Sequence, residues 1–166
     1  MPKTRKLALM AMFTAASLIV FVIEAQIPAP IPVPGVKLGL ANIVTLIAMV
    51  MLGRREAGLI LLVRIAMGSM FTGGVSAFIF SIAGGALAYA VMCLTLKLFP
   101  EKLLWVVSVL GAIAHNLGQL IAAIIITKTG SLMLYAPVLL ASAVITGAFT
   151  GIAAMYLTQR LDKRVG

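Results

Sequence analysis

Long apolar runs separated by short polar breaks dominate the chain. A helix crosses the hydrocarbon core of a bilayer with about 20 mostly apolar residues. Helices are the expected form, because lipid offers the backbone no hydrogen-bond partners. Six runs are legible, at roughly Leu7 to Ile23, Leu38 to Leu52, Ala57 to Phe71, Val75 to Leu96, Leu103 to Ile126 and Leu132 to Leu157. The third is short and bears glycine. The pattern predicts an all-α integral membrane protein with one transmembrane domain over residues 1–166 and about six helices. The start MPKTRK before an apolar stretch imitates a signal peptide. That stretch is longer than a typical h-region and further spans follow it, so it reads as a retained first helix.

Composition supports the same class. Of 166 residues, 63% are hydrophobic and 10% charged, whereas a soluble domain is about half apolar and about a quarter charged. A chain this short has too small an interior to hide that much apolar surface from water. The single Cys93 excludes a disulfide framework and reads as a packing residue.

The net charge of +9 would suit nucleic acid, but its placement argues against that. Lys3, Arg5, Lys6, Arg54, Arg55, Lys97, Lys102, Arg160, Lys163 and Arg164 all fall on one side of a six-span chain. Lys37 and Lys128 fall on the other, and Arg64 lies inside a span. Cytoplasmic loops carry the excess of Lys and Arg. The expectation is a multi-pass protein of a prokaryotic plasma membrane with both termini cytoplasmic, and no nucleic-acid partner.

Between the first two spans, residues 24–37 read EAQIPAPIPVPGVK. Alternating prolines fix the backbone and disfavour helix before each one, so the segment should be extended and stiff. It is either a rigid connection or a lid over a pocket; the apolar Ile27, Ile31 and Val33 favour the lid.

Ionisable groups inside spans are costly and face cavities or partners. Arg64 lies near the midplane and needs a counter-charge, water or an anionic ligand; Glu24 is the acidic residue closest in depth. On the fifth span, His115 and Gln119 are four apart and Asn116 and Gln119 three apart, so each pair shares a helical face. These groups serve either as interhelical hydrogen bonds or as a site. Glu24, Lys37, Asn42, Arg64, Ser69, His115, Asn116 and Gln119 all fall from the midplane outwards, and that sorting suits an outward-facing substrate pocket. Its cations suggest a ligand bearing a carboxylate or phosphate, and its apolar walls suggest that the remainder is flat or greasy. No catalytic residue, metal site or resident cofactor is expected.

Small residues recur at helical spacing: Ala8, Ala11 and Ala15 in the first span, Gly84, Gly85 and Ala88 in the fourth, and Ala143, Gly147 and Gly151 in the sixth. Such faces let helices approach closely, within the bundle or against another subunit.

The strings PVPGVKLGLANIVTL, RIAMGSMFTGG and GAIAHNLGQL resemble the membrane family called Gx transporter, also known as heptaprenyl diphosphate synthase component I. That family is similar to the substrate-binding S components of energy-coupling factor (ECF) transporters. The resemblance implies a six-helix bundle with an outward site under the first outer loop. It also implies an A-x-x-x-A face, here Ala11 and Ala15, for a coupling subunit, and two cytoplasmic ATPases. The chain has no G-x-x-x-x-G-K-[ST] loop, so ATP hydrolysis would belong to partners. Prenyl diphosphate synthases resemble one another in their aspartate-rich magnesium motifs. The acidic residues here, Glu24, Glu56, Glu101 and Asp162, are dispersed, which argues against intrinsic synthase activity.

The leading expectation is therefore a non-enzymatic substrate-binding subunit for uptake of an anionic vitamin-like, flavin, quinone or isoprenoid precursor. The alternatives are a membrane anchor or quinone-interacting subunit of an electron-transfer system, and a non-catalytic membrane partner of a prenyl diphosphate synthase. One histidine excludes a transmembrane bis-histidine haem. A self-contained secondary transporter is disfavoured by the short chain and the lack of a clear inverted repeat.

Overall fold

The computed structural model describes residues 2–27, 37–72 and 74–165, the side chains of 72, 101 and 161–165 excepted. Six α-helices make up the fold: α1 (Lys3–Gln26), α2 (Asn42–Met51), α3 (Arg54–Thr72), α4 (Gly74–Thr95), α5 (Leu104–Thr127) and α6 (Ala136–Val165). A 3-10 turn precedes each of α5 and α6, at Glu101–Leu103 and Gly130–Tyr135. No strand occurs among the described residues.

Local chemistry sets the boundaries. Helix α1 stops at Ile27, whose extended φ −78°, ψ 123° is the conformation a following proline requires. Gly53, at φ 104°, turns α2 into α3 in a backbone region that residues with a Cβ rarely adopt. Pro137 sits in the first turn of α6, where its missing N–H costs nothing.

Four helical segments are long and apolar enough to cross a membrane: α1, α4, α5 and Gly130–Arg160. The all-α membrane class of the sequence reading holds, but its count of about six transmembrane helices is not exact, because two of the six helices, α2 and α3, are not plain spans. Helix α3 has the length, 19 residues, but carries Arg54, Arg55, Glu56 and Arg64. Helix α2 has 10 residues, which at 1.5 Å per residue is about 15 Å, roughly half the hydrocarbon core. The expected second span, Leu38 to Leu52, is shortened at its start because residues 37–39 are not helical and Gly39 has φ 79°. Val44, Leu46, Ile47, Ala48 and Met49 of α2 are all buried. A helix apolar on every side is either lipid-facing or a core helix, and α2 is the core helix, packed against α1, α3 and α6.

The small-residue faces divide. An added Cβ at Gly147 would stand 2.7 Å from the Val109 Cα, and one at Gly151 would stand 2.5 Å from the Trp105 Cα, so α6 presses backbone-close onto α5. Gly118 of α5 approaches α4 equally closely, 2.6 Å from the Ala83 carbonyl oxygen on the same construction. These faces are internal packing. Ala8, Ala11 and Ala15 of α1 are exposed instead, covered by no other helix of the chain.

The basic ends of the helices coincide. Lys6 of α1 forms an ion pair with Glu56 in the first turn of α3. The Tyr89 hydroxyl of α4 donates to the Arg54 carbonyl at 2.8 Å. The rest of the exterior is greasy: Ile145 and Phe149 are 70% and 73% exposed, as expected of a lipid-facing wall.

Candidate functional site

At the opposite end from those basic turns lies a small cavity lined by Phe21, Glu24, Lys37, Gly39, Arg64, Ser81, His115 and Gln119. Its free volume of about 10 Å³ is close to the minimum that holds one water. Helices α1, α3, α4 and α5 and the segment leading into α2 each contribute lining.

Glu24 is buried near the end of α1 and accepts hydrogen bonds from the backbone N–H groups of Gly39 and Ala41, the latter at 3.4 Å. These donors stand in the turn that leads into α2, where the first helical amides, on Asn42, Ile43 and Val44, bond back to the Gly39, Leu40 and Ala41 carbonyls and negative charge is favoured. The carboxylate thus holds the turn that enters α2. Gln119 of α5 fixes the same segment from the other side, its Oε1 accepting the Lys37 N–H at 2.9 Å.

That arrangement turns Glu24 away from a direct ion pair, although its charge and that of Arg64 attract across the cavity. Arg64 is 2% exposed, yet among the described residues no carboxylate lies within ion-pair distance and its Nε has no hydrogen-bond partner. The direct Arg64–Glu24 pair weighed from the sequence is absent. Arg64 instead has its guanidinium carbon 5.6 Å from the centroid of the Phe21 ring, with the Lys37 ammonium over the same ring at 3.8 Å. Aromatic faces attract cations but do not neutralise them. Burial pushes the Lys37 ammonium below the usual lysine range, with Glu24 opposing and Arg64 adding to the effect. Two cations face one carboxylate whose oxygens are occupied by backbone donors, so the cavity carries a positive excess.

His115 is buried between two glycines. A Cβ on Gly39 would stand 2.8 Å from its ring, and one on Gly84 would stand 2.9 Å from it. Asn42 adjoins this contact, its Nδ2 3.1 Å from the constructed Gly39 Cβ, and both polar atoms of its side chain are buried without a hydrogen-bond partner among the described residues.

The structure therefore brings Glu24, Lys37, Arg64, His115 and Gln119 to one cavity, with Asn42 beside it. It does not bring Ser69 or Asn116 into the lining. The Ser69 hydroxyl donates to the Ala66 carbonyl at 2.9 Å. Asn116 points toward α6, its Nδ2 donating to the Leu139 carbonyl at 2.9 Å. One turn of α5 thus serves two faces: His115 and Gln119, four apart, face the cavity, and Asn116 ties α5 to α6. Phe21 and Gly39 carry no polar signal and escape the sequence reading, and Ser81, a polar residue of the fourth span, joins them in the lining. Phe21 and Glu24 are three apart on α1, a spacing that could have placed them on one face. Most of the expected proline-rich lid, residues 28–36, lies outside the described residues.

Among the described residues no group of three or more His, Cys, Asp or Glu side chains is placed to hold a metal. No curated protein and no solved structure matches the chain. The sequence model of the family described as heptaprenyl diphosphate synthase component I matches residues 13–157, nearly the whole helical bundle, and the chain belongs to that family.

Proposed function

We propose that this membrane protein is a non-catalytic substrate-binding subunit, of the S-component type, that takes up a small anionic precursor through its Arg64 cavity. The observation that carries the reading is Arg64: a guanidinium buried near mid-bundle, with no carboxylate in contact among the described residues. A buried charge without a counter-charge in contact is costly, and an anionic ligand would supply one, with Lys37 as a second donor. The glycines at 39 and 84 and the contact between Gln119 and Lys37 are suited to a segment that moves aside for a ligand larger than the present cavity. The exposed Ala8, Ala11 and Ala15 face supports docking of a coupling subunit, which would bring the two ATPases.

Equilibrium binding of riboflavin phosphate, a carboxylated naphthoquinone and farnesyl diphosphate to the purified protein tests the reading. One anionic ligand should bind, and Arg64→Ala should weaken it about tenfold or more, since a charged hydrogen bond contributes about 1.5–3 kcal/mol. Failure of all three to bind the wild type counts against an uptake role.

The family match favours a second reading, a membrane partner of a soluble prenyl diphosphate synthase. Stable co-purification with such an enzyme, unaffected by Arg64→Ala, would select it.

A further inference from the structure

We infer that the groove between α3 and α4 at the basic end of the bundle is a binding site for one anionic phospholipid, its phosphate on Arg55 and an acyl chain along the helices. The groove has a volume of about 510 Å³ and is lined by Arg55, Gly58, Leu59, Leu61, Leu62, Ile82, Ala86 and Tyr89. That falls within the range of about 300–1,000 Å³ typical of sites that enclose small molecules. It shares no lining residue with the Arg64 cavity.

The sequence spacing explains the shape. Arg55, Gly58, Leu59 and Leu62 recur at three- and four-residue intervals, forming one stripe of α3. Ile82, Ala86 and Tyr89 do the same on α4. Two small residues, Gly58 and Ala86, sit midway along stripes of large side chains and hollow the surface between them. Tyr89 forms the basic end of the floor, held by its hydrogen bond to the Arg54 carbonyl; the space a Gly58 Cβ would take lies 3.0 Å from its hydroxyl.

The charge settles the occupant. The lining is apolar along about 10 Å of α3, from Arg55 to Leu62, and cationic at one end only. That end is the one the positive-inside rule assigns to the cytoplasmic leaflet. An uncharged lipid leaves Arg55, which is exposed, with water alone. A soluble anion leaves the apolar length of the groove unfilled. An anionic phospholipid reaching the groove sideways from the bilayer matches both parts, and an Arg beside the surface of an anionic membrane contributes to such attraction.

The test is thermal unfolding of the full chain in detergent micelles doped with dioleoyl phosphatidylglycerol, dioleoyl phosphatidylcholine or farnesyl diphosphate. Phosphatidylglycerol at about a hundredfold over Kd should raise the wild-type Tm by about 5 °C relative to phosphatidylcholine. Ala86→Phe, at an exposed position, fills the groove and should abolish that difference while leaving the Tm in phosphatidylcholine at the wild-type value. Ala86→Leu serves as a second filling variant if Ala86→Phe lowers the baseline. Arg55→Gln should bring the phosphatidylglycerol response down to the phosphatidylcholine level. An equal response in the filled variants would overturn the inference, as would no difference between the two phospholipids. A shift with farnesyl diphosphate and none with phosphatidylglycerol would assign the groove to a prenyl chain and overturn it as well.

Discussion

Glu24 provides the sharpest test of how the cavity is wired. Its carboxylate accepts from the Gly39 and Ala41 amides and makes no direct ion pair with Arg64. A hydrogen bond to a charged group contributes about 1.5–3 kcal/mol, and stranding a buried donor costs a similar amount. The Gly39 bond counts in full. The Ala41 bond, at 3.4 Å, is long and counts for less. Glu24→Ala should therefore cost about 3 kcal/mol, a fall in Tm of about 6–12 °C for a chain of this size. Glu24→Gln retains one acceptor and should cost about half as much. The decisive measurement is a double-mutant cycle with Arg64→Met, read by unfolding in detergent. If Glu24 serves to hold the turn into α2, the costs of Glu24→Gln and Arg64→Met should add to within about 1 kcal/mol. If the two residues were a buried ion pair, removing both would recover most of the roughly 3–5 kcal/mol that a single removal costs. Coupling above about 2 kcal/mol would refute that assignment.

Asn116→Leu removes the tie to the Leu139 carbonyl and should cost about 1 kcal/mol while leaving ligand affinity within twofold; a larger affinity loss would put Asn116 in the site. Gly118→Ala forces a methyl against the Ala83 carbonyl and should destabilise by about 1–3 kcal/mol, seen as a lower Tm. Ala11→Phe on the exposed face of α1 should leave the Tm unchanged to within about 0.5 kcal/mol yet abolish pull-down of a coupling subunit; retained capture would remove that face from the proposal. Because burial lowers the Lys37 pKa, its charge is present below that value and lost as pH rises through it. Affinity for an anion should fall with rising pH sooner than a free lysine would dictate, and Lys37→Met should flatten the profile.

The pattern of apolar runs determined the membrane class and six helices, because lipid imposes length and polarity on each segment separately. Asymmetry of ten basic residues determined which helix ends lie together, and the Lys6–Glu56 and Tyr89–Arg54 contacts agree with it. Depth along each helix was legible as well: Glu24, Lys37, Arg64, His115 and Gln119 meet at one level. Rotation about the helix axis was not. Asn116 and His115 are neighbours in sequence and similar in polarity, but one faces α6 and the other the cavity. Only packing decides which way a residue points when both faces of its helix are buried. The same holds for α2: an apolar run reads alike whether lipid or protein surrounds it, and only the tertiary structure showed it to be a short helix at the centre of the bundle. The partner of Glu24 was also a tertiary decision. Opposite charge at equal depth suggested Arg64, but the free backbone amides of a turn before a helix are invisible in a sequence, and they claimed the carboxylate first.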